Sequence, residues 1–143
     1  REAGFRGGLK ESDKQLFDHA LGNFSLDVAR KVARKMFLAP KRPDAVFVAT
    51  DHMAFAVMDI LRSELGLSIP REVSVVGYDD VPPASWAAYN LTTLRQRANL
   101  MVEETVRIMI SKIRDPGVAP RHLKILSPLI VRGSAKIPKG WST

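Results

Sequence analysis

The chain has 143 residues, 45% of them apolar and 26% charged, with 22 Lys and Arg against 15 Asp and Glu for a formal charge of +7. That is enough for one globular domain, and no run approaches the roughly 18 apolar residues of a transmembrane helix. Cysteine is absent, which excludes disulfides, thiolate nucleophiles and thiolate metal sites.

The opening Arg1-Glu2-Ala3-Gly4 carries no apolar leader and no initiator Met, and already has a helical pattern. A piece of a longer protein is therefore expected. Arg1 to about Lys10 is predicted to be helical, with Phe5 and Leu9 on one face. Gly4, Gly7 and Gly8 do not form a phosphate loop, because no strand precedes them and no Gly-Lys-Ser/Thr follows. Leu16 to Leu21 is ambiguous, with a short strand as one reading. Ser25 is a candidate helix cap, and the helix it opens runs to about Leu38, with Val28, Val32 and Met36 as its apolar stripe and Ala29, Ala33 and Phe37 beside them. Its cations Arg30, Lys31, Arg34 and Lys35 read as a solvated face rather than a nucleic-acid contact, since no aromatic residues interleave them. Pro40 and Pro43 end the element.

Asp44 to Ala49 reads as a buried strand. Asp51 then precedes a helix striped by Met53, Val57, Ile60, Leu61 and Leu65, with Gly66 as its C-terminal cap. Asp51 is most simply the N-cap of this helix, with direct ligand contact as the alternative. Val73-Ser74-Val75-Val76-Gly77-Tyr78 is a second strand, rich in β-branched residues and expected to be buried and parallel. It runs into the adjacent carboxylates Asp79 and Asp80. A loop rich in Pro, Ala and aromatics follows, then an extended segment from Leu91 to Gln96. A helix opens near Asn99, with Val102, Val106, Met109 and Ile113 in register, and stops at Asp115-Pro116-Gly117. Leu123 to Val131 is predicted as the last strand, with Pro128 marking an edge or bulge, and a loose tail follows from Ile137 to Thr143.

Alternating helices and strands imply an α/β fold with a mostly parallel sheet flanked by helices. In such sheets ligands sit beyond the carboxyl ends of the strands, which is where Asp79 and Asp80 stand. Asp51, Asp79 and Asp80 together also invite a Mg²⁺ reading. However, no Gly-x-Ser-x-Gly, His-Glu-x-x-His or Walker pattern accompanies them, and His19, His52 and His122 are scattered. An enzyme is not expected, and no metal or other cofactor is called for.

The runs Thr50-Asp51-His52-Met53-Ala54, Ile69-Pro70-Arg71-Glu72-Val73-Ser74-Val75-Val76-Gly77-Tyr78-Asp79-Asp80 and Leu91-Thr92-Thr93-Leu94-Arg95-Gln96 resemble the lactose/galactose repressor family of bacterial regulators. The likeness extends from Arg1-Glu2-Ala3-Gly4-Phe5 to Leu129-Ile130-Val131-Arg132-Gly133-Ser134. It implies a two-lobed, periplasmic-binding-protein-like effector core, a cytoplasmic homodimer, and operator DNA bound through a domain that this chain lacks. Residues 1–96 would be an incomplete second lobe, 97–118 a helix of the first lobe, 119–135 the returning strand and 136–143 a tail.

The resemblance also assigns roles. Asp79 matches the family's ligand-accepting carboxylate and Arg1 its ligand-contacting arginine. Phe24 matches the aromatic stacking position. Thr50 falls where many members have Asn, and Gln96 lies at the lobe crossover. Phe55, Trp86 and Tyr89 match the family's dimer surface. The helix after Asp51 is one residue longer than is usual in the family. Each role has a plainer alternative: a loop cap for Asp79, core packing for Phe24 and the three dimer-surface aromatics, a surface cation for Arg1. The expected ligand is a sugar-like metabolite. A periplasmic sugar-binding protein of a transport system is the competing reading.

Overall fold

The computed structural model describes residues 1–138 and Gly140. Of the tail expected over 136–143, Lys139 and 141–143 lie outside the described residues. Among the described residues four α-helices and four short strands follow in the order α1 (Glu2–Glu11), α2 (Leu26–Leu38), β1 (Ala45–Phe47), α3 (Asp51–Asp59), β2 (Ser74–Asp79), β3 (Thr92–Arg95), α4 (Ala98–Arg114) and β4 (Leu129–Ile130). The sheet order is β1-β2-β3-β4. β1, β2 and β3 pair in parallel, and β4 returns antiparallel on β3. This is the mostly parallel α/β sheet that the element pattern called for.

The core lies between the sheet and the pair α2 and α3. In α2 the buried line is Ala29, Ala33 and Phe37, one residue round from the Val28, Val32 and Met36 stripe. Two alanines let the backbones of α2 and α3 approach closely, so the small residues mark the contact and the larger ones lie at its rim. α3 is covered on nearly all sides, with every residue from Met53 to Met58 buried, because it is held between α2 and the sheet. It continues into a π-helical turn over Ile60–Glu64. A π turn wraps one residue more than an α turn, and that is how a helix absorbs a single extra residue. Gly66 follows at φ +64°, the left-handed conformation of a helix-terminating glycine.

β2 is buried on one face only. Val75 and Gly77 face the core, while Ser74, Val76 and Tyr78 are half-covered. The second face is covered thinly by α1, whose Phe5 stacks on Phe47 with centroids 5.0 Å apart and which buries no residue. The fully buried strand expected from the sequence is therefore corrected to one with a dry face and a half-wet face.

Two further expectations are corrected. No strand forms over Leu16 to Leu21, where Phe17 and Leu21 are exposed. The last strand shrinks from 123–131 to Leu129–Ile130. Pro128 has no N–H to donate, although its carbonyl still accepts from the Arg95 N–H at 2.9 Å. Beyond Ile130, side chains take over from the ladder. Ser134 Oγ accepts from the Thr92 N–H (2.8 Å) and donates to the Val75 carbonyl (2.6 Å). Thr92 Oγ1 accepts from the Arg132 N–H and donates to its carbonyl.

Two of the four cations of α2 are paired on the surface. Arg34 forks onto Glu64 at 2.5 and 2.6 Å, and Arg30 meets Asp27 at 3.1 Å. The solvated-face reading of this helix fits those pairs.

Gly77 is a position that only glycine fits. A Cβ there would lie 2.2 Å from Asp51 Oδ1 and 2.8 Å from Leu91 Cδ2. Gly77→Ala is expected to lower stability by about 2–3 kcal/mol, as overpacking of a rigid core does. A urea-denaturation midpoint at unchanged slope would measure it.

Candidate functional site

The site is built at the carboxyl ends of β1, β2 and β3. β2 ends at Asp79, which is paired in register with Arg95 of β3. Asp79 and Asp80 both have positive φ, 131° and 59°, an uncommon backbone for residues with a Cβ. The turn they make throws the two carboxylates to different partners.

Asp79 Oδ1 accepts from Arg1 Nη2 at 2.8 Å and from the Gln96 side-chain amide. Its Oδ2 takes no hydrogen bond from the described residues. The Arg1 guanidinium also donates to the carbonyl of Ala49, just past β1, and lies 4.0 Å above the centroid of the Tyr78 ring. A cation over an aromatic face gains attraction from the ring quadrupole. Asp79 and Arg1 keep 20% and 29% of their side-chain surface exposed, so the pair is held in place yet open to solvent. The structure thus brings Arg1, Asp79 and Gln96 together. Among the described residues one acceptor oxygen remains without a partner, beside a planar fork of donors.

Thr50 is nearly buried, and its hydroxyl accepts from the Met53 N–H at 3.3 Å. It is the N-cap of α3. The capping role expected of Asp51 is therefore corrected: Asp51 is the first helical residue and fully buried. Its Oδ1 accepts from Thr93 Oγ1 at 2.6 Å and its Oδ2 from the Val81 N–H at 3.0 Å. Its carboxylate ties α3 to β3 and to the residue that follows Asp80. The local pattern of an acid before a helix pointed to the wrong partner, because the true ones lie 30 and 42 residues away.

Phe24 is 80% exposed, so ordinary core packing is excluded for it. It sits in a turn with Asn23, both at positive φ (48° and 53°), closed by the Ser25 N–H on the Gly22 carbonyl at 2.9 Å. Two central residues at positive φ are what a type I′ turn needs, and a bulky residue there is strained. The turn is docked on α3: a Cβ at Gly22 would lie 2.6 Å from Met53 Sδ. Thr50 and Phe24 are thus both tied to the first turn of α3.

Of the three aromatics assigned to a dimer surface, only Trp86 stands out, at 58% exposure. Phe55 is buried, with its ring stacked on the half-buried Tyr89 at 4.2 Å. Placing Phe55 on a free surface is corrected: it packs within its own chain.

Asp80 carries a second constellation of partners. Its carboxylate is 5% exposed and pinned from both sides, Oδ2 by Arg95 Nε at 2.5 Å and Oδ1 by Arg132 Nη2 at 2.7 Å. Arg132 Nη1 also donates to the Leu91 carbonyl at 2.8 Å. Burial alone would raise the carboxyl of Asp80, but the hydrogen bonds from Arg132 and Arg95 outweigh it and hold the group below its ordinary range. A depressed folded value means that the stabilisation is present above the unfolded value, near pH 4, and is lost as pH falls through the folded one. Denaturation midpoints measured from pH 7 to pH 3 should therefore drop more steeply in the wild type than in Asp80→Asn. Among the described residues no group of three or more His, Cys, Asp or Glu is placed to hold a metal ion.

Residues 1–135 match the model of the periplasmic binding protein-like domain. The chain is 32% identical over 138 residues to an HTH-type transcriptional repressor, PurR, of Vibrio parahaemolyticus, covering 95% of this chain and 41% of that protein. It is 31% identical over 137 residues to the ribose operon repressor of Escherichia coli K12, covering 94% of this chain and 41% of that protein. Among solved structures it resembles a transcriptional regulator CelR–cellobiose complex (TM-score 0.80, 32% identity, 92% of this chain and 41% of that one). It also resembles a Lac repressor dimer bound to operator and the anti-inducer ONPF (TM-score 0.85, 27% identity, 94% and 46%). The chain thus spans less than half the length of these relatives. On a match that runs over almost all of its residues, it belongs to the periplasmic binding protein-like domain family, in the form carried by the lactose/galactose repressor family of transcriptional regulators.

Proposed function

We propose that this chain is the effector-binding and dimerisation region of a DNA-binding transcriptional repressor that responds to a small sugar-like metabolite. The observation that carries this reading is Asp79: a carboxylate at the end of β2, held at Oδ1 by Arg1 and Gln96, with Oδ2 free of hydrogen bonds from the described residues. An ionised acceptor fixed in space makes short, charge-assisted bonds to ligand hydroxyls. The exposed ring of Phe24, carried on a backbone at positive φ, supplies an apolar surface for the C–H face of the same ligand. Thr50, with its oxygen accepting from Met53, offers its hydroxyl proton as a donor.

In this reading operator DNA is bound by a domain outside the chain, the protein acts in the cytoplasm, and the exposed Trp86 lies at the contact of a homodimer. No helix among the described residues is long and apolar enough to cross a membrane. α4 buries no residue, and Val102, Val106, Met109 and Ile113 are 62%, 48%, 57% and 76% exposed. That fits a helix whose packing partner is another lobe. The likeness to repressors favours a regulator over a transport protein, and it also favours a binding role over catalysis.

A ligand panel tests the proposal. The full-length protein carrying this chain is melted with pentoses, hexoses, disaccharides, sugar acids and purines. Mass action raises stability by about 2.7 kcal/mol at a hundredfold excess over Kd, a rise of several degrees. A melting temperature that no compound moves would contradict the reading.

A further inference from the structure

We propose that Asp80 is a positioning residue for the effector site: clamped between Arg95 and Arg132, it holds the Asp79 carboxylate in the orientation that meets Arg1, Gln96 and the effector. The proposal rests on the effector reading of the crevice, but its structural half can be tested without any effector. The starting point is the backbone. Asp79 and Asp80 stand in succession at positive φ, and such conformations persist only where the surroundings over-determine them. The surroundings here can be named. Before the pair, the β2–β3 ladder holds the chain through Asp79 and Arg95. After it, the Val81 N–H is held by the buried carboxylate of Asp51. Between them Asp79 is anchored at the open rim by Arg1 and Gln96, and Asp80 is the anchor that lies nearly dry.

The Asp80 clamp is fastened to the framework. Arg132 is itself fixed by the Leu91 carbonyl and, through its backbone, by Thr92 Oγ1. With the Asp80 carboxylate nearly dry and held on both oxygens, rotation of the 79–80 dipeptide would break two charge-assisted bonds. Arg95 and Gln96 are adjacent in the chain, and they bind Asp80 and Asp79 respectively. The two acids are thus locked to the same short stretch just before α4. Asp80 therefore acts through Asp79 and does not touch the effector.

Two variants test this. Asp80→Asn keeps the shape and one acceptor but removes the charge. Arg95→Ala removes one jaw of the clamp from a side chain that is 53% exposed, so the fold should tolerate it. Side-chain amide signals of Gln96 in the 143-residue chain report the bond to Asp79, and backbone amides of β2 and β3 report the fold. The expected result is that the Gln96 signals move toward free-glutamine positions in both variants, most in Asp80→Asn, while the backbone signals of β2 and β3 stay in place. Calorimetric titration of the full-length protein with ribose and with cellobiose adds a second readout, in which any sugar bound by the wild type binds about tenfold more weakly to Asp80→Asn. Gln96 signals unchanged in both variants would overturn the positioning role. A wild type that binds neither sugar leaves the NMR result to decide the role of Asp80 and the wider melting panel to decide the effector reading.

Discussion

Replacing Asp51 with Ala is expected to lower the unfolding free energy by about 3–6 kcal/mol, because hydrogen bonds to a carboxylate contribute about 1.5–3 kcal/mol each. The carboxylate is fully buried and accepts from Thr93 Oγ1 and the Val81 N–H. Alanine leaves both donors facing a dry void. The total is a large share of the 5–15 kcal/mol or so that a domain of this kind has. Asp51→Asn should cost much less. The Thr93 hydroxyl can turn and accept from the new amide, while the remaining oxygen still accepts from Val81. The contrast is decisive against the cap reading, because losing an ordinary N-cap costs only about 1 kcal/mol. Urea midpoints of the wild type and the two variants, at equal slope, would measure the difference. An Asp51→Ala loss near 1 kcal/mol would contradict the buried-bridge account.

Asp79→Ala is expected to do the opposite: little to stability and much to binding. Its bonds to Arg1 and Gln96 lie at a solvent-open rim, where such pairs contribute about 0–1 kcal/mol. For an effector held by two hydroxyls on the carboxylate, the lost charge-assisted bonds amount to about 3–4 kcal/mol, which is a fall in affinity of about 10²–10³-fold. Calorimetric titration of the full-length protein with the effector that the melting panel identifies would measure it, and Asp79→Asn should fall between. Together the two aspartates separate the roles. One variant weakens the fold, and the other leaves the fold standing and removes its ligand.

The strand end at Gly77-Tyr78-Asp79 was legible because a run of β-branched residues stopping at acids has few other readings in an α/β chain. β2 runs over Ser74–Asp79, one residue beyond the predicted span. Ser25 caps α2 as its position foretold, accepting from the Val28 N–H at 3.4 Å. What the sequence did not display was everything held across long separations. Asp51 looked like a cap because its neighbours in sequence make it one, yet its partners come from β3 and from the turn after β2. Arg132 lies 52 residues from Asp80, and nothing local ties them. In α2 the buried line is Ala29, Ala33 and Phe37 rather than the Val28, Val32 and Met36 stripe beside it, because close approach to α3 favours the two alanines. The aromatic residue Phe55 looked available for a partner and is instead stacked on Tyr89.

A crystal structure of the full-length protein with that effector bound tests the central claim most directly. The account predicts effector hydroxyls within hydrogen-bond distance of Asp79 Oδ2, with Arg1 and Gln96 still on Oδ1 and the Phe24 ring against the apolar face of the ligand. An effector seated elsewhere, with Asp79 contacting only Arg1 and Gln96, would contradict it.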